Sequence, residues 1–190
     1  MEVLESPRLI YRPFEASDLM LLHEFHSEPE VSASYRLPSP LPIEDTQWWL
    51  NKTLMSYQTD GIGHYAIFLK DNNEFIGRCG LRILEVEKFP TDDRPKWFWY
   101  RDSAPEGLNV ERYLELGYGY KYKFWGKGYA TEAGKMFCKY AFENKLADEI
   151  HAAIFTDNLA SGRVLEKVGF KKYGKAYALG EELITFVLKK

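Results

Sequence analysis

A chain of 190 residues is long enough for one domain with a substantial buried core, and its 45% apolar and 16% aromatic content excludes a disordered chain. Its 25 Lys and Arg against 28 Asp and Glu leave a net charge of −3 with no long basic run, which argues against nucleic-acid binding and only mildly favours a cationic substrate. The N-terminus lacks a basic and then apolar leader, and no apolar run approaches ~20 residues, so a cytoplasmic protein without a membrane span is expected.

In chain order, Leu4 to Arg12 reads as a strand stopped by Pro13. Ser17 or Asp18 caps a helix through about His26, with Leu19, Leu22 and Phe25 on one face. Pro29, Pro38, Pro40 and Pro42 punctuate a loop, and a second helix runs from about Ile43 to Gln58. His64 to Lys70 and Phe75 to Leu84 are strands joined by an Asp71-Asn-Asn turn. Residues 85–111 form a long insert holding three prolines and the cluster Trp97-Phe-Trp-Tyr100. It reads either as a substrate flap or dimer contact, or as an extra hairpin whose aromatics patch the core.

Tyr113 to Tyr120 is the next strand, and Tyr129 to Phe142 is the clearest helix. Its Ala130, Ala133, Gly134, Phe137, Cys138 and Ala141 make a single apolar stripe. Glu149 to Phe155 is a strand, Leu159 to Val168 a short helix, and Lys171–Ala178 with Glu182–Leu188 a closing pair of strands. Cys79 and Cys138 have no metal-like spacing and read as reduced core thiols. His23 and His26, three apart on a helix, lack a third ligand, and His64 and His151 read as structural, so no metal is expected.

The most informative stretch is Trp125-Gly-Lys-Gly-Tyr-Ala130, between a strand and the periodic helix. Gly126 and Gly128 permit a tight turn and close backbone approach to a ligand. The helix behind them offers unpaired N–H groups and the positive end of its dipole, a seat for pyrophosphate. The spacing is neither a Walker loop nor a Gly-x-Gly-x-x-Gly dinucleotide turn.

The stretch resembles the signature Gln/Arg-x-x-Gly-x-Gly/Ala of the GNAT acetyltransferases, with Gly128 and Ala130 in the defining positions and Trp125 in place of Gln/Arg. Trp-Gly-Lys-Gly-Tyr-Ala-Thr-Glu-Ala is similar to the RimJ/RimL-like ribosomal-protein N-acetyltransferases. Asp157 to Phe170 resembles the closing motif Asn-x-x-Ser-x-x-x-Leu-x-Lys-x-Gly-Phe of that group. Ser6 to Pro13 with the helix after it, and Phe75-Ile-Gly-Arg-Cys-Gly-Leu81, resemble its first and third segments. The resemblance implies an α+β GNAT fold over residues 1–190, with a central, mostly antiparallel, splayed sheet flanked by about four helices. It also implies acetyl-CoA as cosubstrate and an amine as acceptor, either a protein or peptide N-terminus or a small molecule.

Acetyl transfer from a thioester needs a held donor, a neutral amine, and stabilisation of the oxyanion and the leaving thiolate. No side-chain nucleophile is required. The resemblance places the pyrophosphate on Trp125, Gly126, Lys127, Gly128, Tyr129 and Ala130, with Lys127 either adding charge or being solvated. It places pantetheine along Tyr118, Gly119 and Tyr120, with a backbone N–H near Gly117 or Tyr118 polarising the thioester carbonyl.

Glu115 is the general-base candidate, or else a cross-strand ion-pair partner, with Glu111 a weaker competitor. Asn158 resembles the asparagine that binds the pantetheine arm, and it also suits a helix cap. Many relatives carry a tyrosine acid where this chain has Leu165. Ser161 matches the serine that RimL-like members use instead, or is satisfied by backbone. Trp48 and Trp49 read as an acceptor-pocket lining or as core. The alternatives to an acetyltransferase are a non-catalytic CoA-binding sensor and, more distantly, a nucleotide-dependent kinase. A homodimer through the closing strands or the insert is compatible with the sequence.

Overall fold

The computed structural model describes residues 1–88, 97–100 and 103–190. The first half runs β1 (Leu4–Glu5), β2 (Leu9–Pro13), α1 (Leu19–His26), α2 (Pro29–Ser34), α3 (Ile43–Thr59), β3 (His64–Leu69) and β4 (Phe75–Lys88). The second half runs β5 (Trp97–Tyr100), β6 (Val110–Tyr120), α4 (Tyr129–Glu143), β7 (Glu149–Phe155), α5 (Leu159–Val168), β8 (Lys171–Ala178) and β9 (Glu181–Lys189). These elements fall into two compact units, residues 1–82 with 117–136 and residues 83–116 with 137–190.

In the first unit, β1, β2, β3 and the first part of β4 pair antiparallel in sequence order. β2 lies against β3 from Leu9↔Leu69 to Pro13↔Tyr65. Helices α1 to α3 bury one face each: Leu22, Phe25, Val31 and Leu50 join Phe14, Ala66 and Phe75 in one apolar cluster. Phe25 meets Phe75 edge-on at 6.0 Å, a geometry that aromatic pairs favour. The two glycines of Phe75-Ile-Gly-Arg-Cys-Gly-Leu81 have a packing reason. A Cβ on Gly77 would stand 2.6 Å from Tyr120 Cα, and one on Gly80 2.5 Å from His64 Cα, so only glycine lets those backbones approach.

In the second unit the end of β4 pairs antiparallel with β5, from Glu85↔Tyr100 to Lys88↔Trp97. β5 pairs parallel with β8, β8 antiparallel with β9, β9 antiparallel with β7, and β7 parallel with β6. Leu84, Val86, Trp99, Phe155, Ala176, Ala178 and Leu183 form its core cluster. Gly169 ends α5 at φ 119°, in the left-handed region, with its N–H and that of Phe170 both returning to the Leu165 carbonyl. That closing motif satisfies the last carbonyls and drives Phe170 inward, which is why Gly-Phe follows the helix.

The α+β class and the mostly antiparallel pairing are as the sequence implies. Two points differ. Pro29 does not sit in a loop: it occupies the first turn of the short helix α2, where its missing N–H costs nothing, and five α-helices stand among the described residues where about four are implied. The first strand is broken at Ser6, whose N–H turns back to the Leu9 carbonyl. The aromatic run of the insert is strand β5, with Trp99 in the core, as the extra-hairpin reading expects. Residues 89–96 and 101–102 of that insert lie outside the described residues, and with them most of the flap or dimer-contact reading. Cys79 and Cys138 are buried free thiols, and burial pushes the Cys138 thiol up to about 12. Among the described residues no helix is long and apolar enough to cross a membrane.

Candidate active site

The cradle is built within the first unit. After β6 the chain is fastened by the Lys121 N–H, which donates to the Ile76 carbonyl at 2.8 Å. A single 3-10 turn, Tyr122–Phe124, follows. Trp125 is then held twice: its N–H donates to the Tyr122 carbonyl at 3.0 Å, and its indole Nε1–H to the Tyr120 carbonyl at 2.7 Å. At the position where relatives carry Gln or Arg, this side chain therefore closes the loop back on its own strand. Gly126 and Gly128 sit at φ 74° and 83°, the left-handed region that an L side chain strains to enter. A Cβ on Gly126 would meet nothing within 4 Å, and one on Gly128 only Arg8 Nη2 at 3.5 Å. The glycines are there for the turn, and the space over them is open.

Helix α4 starts at Tyr129, and the Glu132 N–H makes its first bond, to the Gly128 carbonyl at 3.1 Å. None of the N–H groups of residues 126–131 donates to a protein acceptor among the described residues. A helix ordinarily leaves its first four N–H groups unpaired. Here the glycine turn extends that row into the loop, so consecutive donors and the positive helix end coincide. This donor set fits a pyrophosphate. The Lys127 ammonium lies 5.3 Å from the Phe124 ring and meets no carboxylate among the described residues.

Sequence reasoning missed the clasp that holds this loop. Arg8 Nε donates to Glu132 Oε2 at 2.6 Å, and its backbone N–H to Oε1 at 2.9 Å. Its Nη1 donates to the Lys127 carbonyl at 3.1 Å, and its guanidinium lies 4.4 Å from the Tyr129 ring. Ser6 Oγ adds a third hydrogen bond to Glu132 Oε1 at 2.7 Å. Burial pushes the Glu132 carboxyl upward, but the bonds from Ser6 and Arg8 outweigh it and hold it below the usual range. Tyr120, buried, sends its hydroxyl to the Tyr129 carbonyl at 3.3 Å.

Beside the glycines of β6 lies a cluster drawn from the helices and β3–β4. A Cβ on Gly119 would fall on the Tyr35 hydroxyl, which donates to the Tyr118 carbonyl at 3.0 Å. A Cβ on Gly117 would stand 2.8 Å from the His64 ring. Arg78, 7% exposed, reaches His64 Nδ1 with Nη1 at 3.1 Å and lies between the rings of Tyr35 and Trp49, at 4.9 and 4.4 Å. Trp49, partly buried, packs edge-on against Phe14 and His26 at the border of the apolar cluster, whereas Trp48 is half exposed under Lys52. Gly117 and Gly119, which the sequence marks on this strand, make room on β6 for the His64 ring and the Tyr35 hydroxyl.

The remaining candidates belong to the second unit. Glu115 is buried on β6, in register with His151 of β7. Asn158 caps α5: its Oδ1 accepts the Ser161 N–H at 3.1 Å. The capping role foreseen for Asn158 is therefore seen, and it is what satisfies the backbone of Ser161. Leu165 is buried and offers no proton. Among the described residues no group of His, Cys, Asp or Glu is arranged to hold a metal ion.

Residues 8–171 match the family model described as an acetyltransferase (GNAT) domain. The probable N-acetyltransferase YjcK of Bacillus subtilis is 43% identical over 178 residues, covering 92% of this chain and 86% of that protein. An acetyltransferase structure from Agrobacterium tumefaciens superposes with TM-score 0.74 at 21% identity, over 100% of this chain and 95% of that one. RimL, a ribosomal L7/L12 alpha-N-protein acetyltransferase solved with coenzyme A, superposes with TM-score 0.71 at 16% identity, over 99% and 98%. A glycine turn that leaves six consecutive N–H donors at a helix start, inside a match of this extent, settles the assignment: the chain belongs to the GNAT family and is an N-acetyltransferase.

Proposed function

We propose that this protein transfers the acetyl group of acetyl-CoA to a primary amine, at a peptide or protein N-terminus or on a small molecule, by direct attack within a ternary complex. The observation that carries this reading is the row of unpaired N–H groups at residues 126–131, and the coenzyme A in the RimL structure supports the choice of ligand. Both compact units belong to one acetyltransferase domain, as the family match across residues 8–171 supports.

Acetyl-CoA supplies an already activated thioester. The N–H groups of Gly126 to Ala130 hold its pyrophosphate, with Lys127 adding charge and Trp125 keeping the loop folded onto Tyr120. The β6 residues Tyr118, Gly119 and Tyr120 border the pantetheine arm, and a main-chain N–H near Gly117 or Tyr118 polarises the acyl oxygen. Asn158 adds a polar contact to that arm from the start of α5. Glu115 takes the ammonium proton, directly or through a water, and Ser161 returns a proton to the leaving thiolate. Burial of the free thiols Cys79 and Cys138 supports a reducing, cytoplasmic setting.

The test is calorimetry with acetyl-CoA and CoA, followed by an amine screen read by thiol release. Glu115→Gln should bind acetyl-CoA as the parent does and lose turnover by ~100-fold or more, the range of general-base catalysis. Full turnover in that variant would remove Glu115 from the mechanism. An absence of acetyl-CoA binding in the parent protein would overturn the reading itself.

A further inference from the structure

His64 opens β3 and is 7% exposed. Its Nδ1 lies 3.1 Å from Arg78 Nη1. A guanidinium has only donors, so Nδ1 must accept and the ring proton must reside on Nε2. Burial first, and then the Arg78 charge, drive the imidazole far below its ordinary 6.5, so the ring stays neutral and keeps this tautomer around neutral pH. Nε2–H is therefore a fixed donor, and among the described residues it meets no acceptor. It stands 3.1 Å from the place that a Cβ on Gly117 would take, on the strand where the acyl group is expected.

The surroundings are those of a recognition site. The Trp49 ring lies 5.5 Å from the imidazole, and Tyr35 and Trp49 flank the Arg78 guanidinium. Trp49 belongs to α3 and Tyr35 closes α2, so helices as well as β3 and β4 contribute to the site. A largely shielded donor without a protein partner is ready for a ligand that supplies an acceptor atom. The attacking amine cannot be that acceptor, because its lone pair goes to the thioester. A nearby oxygen of the same molecule can. The fixed Arg78 charge also disfavours an ammonium ion here and favours the neutral amine that reacts.

We propose that His64 is an acceptor-binding residue whose Nε2–H donates to a carbonyl or hydroxyl oxygen borne next to the amine-carrying carbon. This rests on the N-acetyltransferase reading above and narrows its acceptor class. Amines that carry such an oxygen are preferred, as in an α-amino amide or an amino alcohol, and plain alkylamines and polyamines are disfavoured.

The experiment compares alaninamide with isopropylamine as acceptors, for the parent protein and for His64→Phe and His64→Gln, by thiol release from acetyl-CoA. Calorimetry of acetyl-CoA binding runs in parallel. His64→Phe should lower kcat/KM for alaninamide about 10-fold or more beyond its effect on isopropylamine, the loss expected for one buried hydrogen bond. The loss should appear in the alaninamide KM, with acetyl-CoA affinity unchanged. His64→Gln, whose amide N–H reaches to a similar place, should recover most of it. Using the change in the ratio cancels the different intrinsic reactivity of the two amines.

Equal losses on both amines would overturn the proposal, as would a loss confined to kcat or a parent protein that acetylates neither. If acetyl-CoA binds in those cases, only the acceptor proposal falls; if it does not, the enzyme reading falls with it. Nitrogen NMR of His64 gives a check that needs no variant: a proton on Nε2 with Nδ1 accepting is expected, and the reverse tautomer would refute the argument.

Discussion

Lowering the pH from about 7 to about 5 should destabilise this protein through two buried histidines. His26 is 3% exposed, with no hydrogen-bond partner for its Nε2. Burial, then the Arg78 and His23 charges, drive its pKa from 6.5 to about 2. His64 is pushed in the same direction by burial, Arg78, Arg82 and His26. The unfolded chain takes up both protons near 6.5 and the folded chain refuses them, so stability falls as the pH drops below that value. Each refused proton costs about 1.4 kcal/mol per pH unit, hence about 2 kcal/mol by about pH 5. Two such groups remove about 4 kcal/mol, a large share of the ~5–15 kcal/mol that a folded protein holds.

Glu132 and Glu149, whose carboxyls are held below 4.5, add their own losses only at lower pH, so the windows are separable. Urea unfolding followed by far-UV circular dichroism across this range reads the slope. His26→Phe keeps an aromatic ring among Phe25 and Trp49 and loses no hydrogen bond at Nε2. It should halve the slope and be more stable than the parent at about pH 5, by up to about 2 kcal/mol. A flat profile in the parent, or an unchanged slope in His26→Phe, would refute the reasoning.

Replacing Gly128 with alanine forces a side chain into φ 83° with room for its Cβ, so about 1–2 kcal/mol of strain should surface as a raised acetyl-CoA KM and little change in kcat. Gly119→Ala should be far harsher, because its Cβ falls on the Tyr35 hydroxyl: a drop of about 1–3 kcal/mol in thermal stability, partly relieved by a second change, Tyr35→Ala. Arg8→Met should weaken acetyl-CoA about fivefold in calorimetry, and adding Glu132→Gln should restore part of the loss. Simple additivity of those two variants would show that the clasp plays no part in binding.

How much of this was legible in the sequence follows from how far apart the determinants lie. The loop from Trp125 to Ala130 could be read directly, because a left-handed turn followed by a helix start writes its glycines and its periodicity into adjacent positions. The end of α5 was similarly plain: Gly169 and Phe170 are needed by the geometry of a single closing turn. Pro29 was misread because proline stops a helix and also starts one, and only the burial of Val31 and Ser32 decides between them. His64 passed as a structural strand histidine. Its tautomer is set by Arg78, which lies on the next strand, and its importance by Gly117, fifty-three positions on. Contacts of that span leave no period or motif.

Glu132 illustrates why the long-range part matters. It stands in the first turn of the helix whose start is proposed to receive a pyrophosphate. Taken alone, a carboxylate there suits the helix dipole but repels the ligand. At roughly 8 Å in a water-like medium, its repulsion of a doubly charged phosphate is about 1 kcal/mol, or about fivefold in affinity. The structure removes the conflict by setting Arg8 on both carboxylate oxygens, its guanidinium Nε on Oε2 and its backbone N–H on Oε1. The same guanidinium then reaches Lys127, so the group that cancels the charge also fixes the peptide between the two glycines. The carboxylate is thus an anchor for the loop and not a competitor for its ligand. The segments Ser6-Pro-Arg and Ala-Thr-Glu-Ala, which resemble the family at opposite ends of this first unit, are halves of one device.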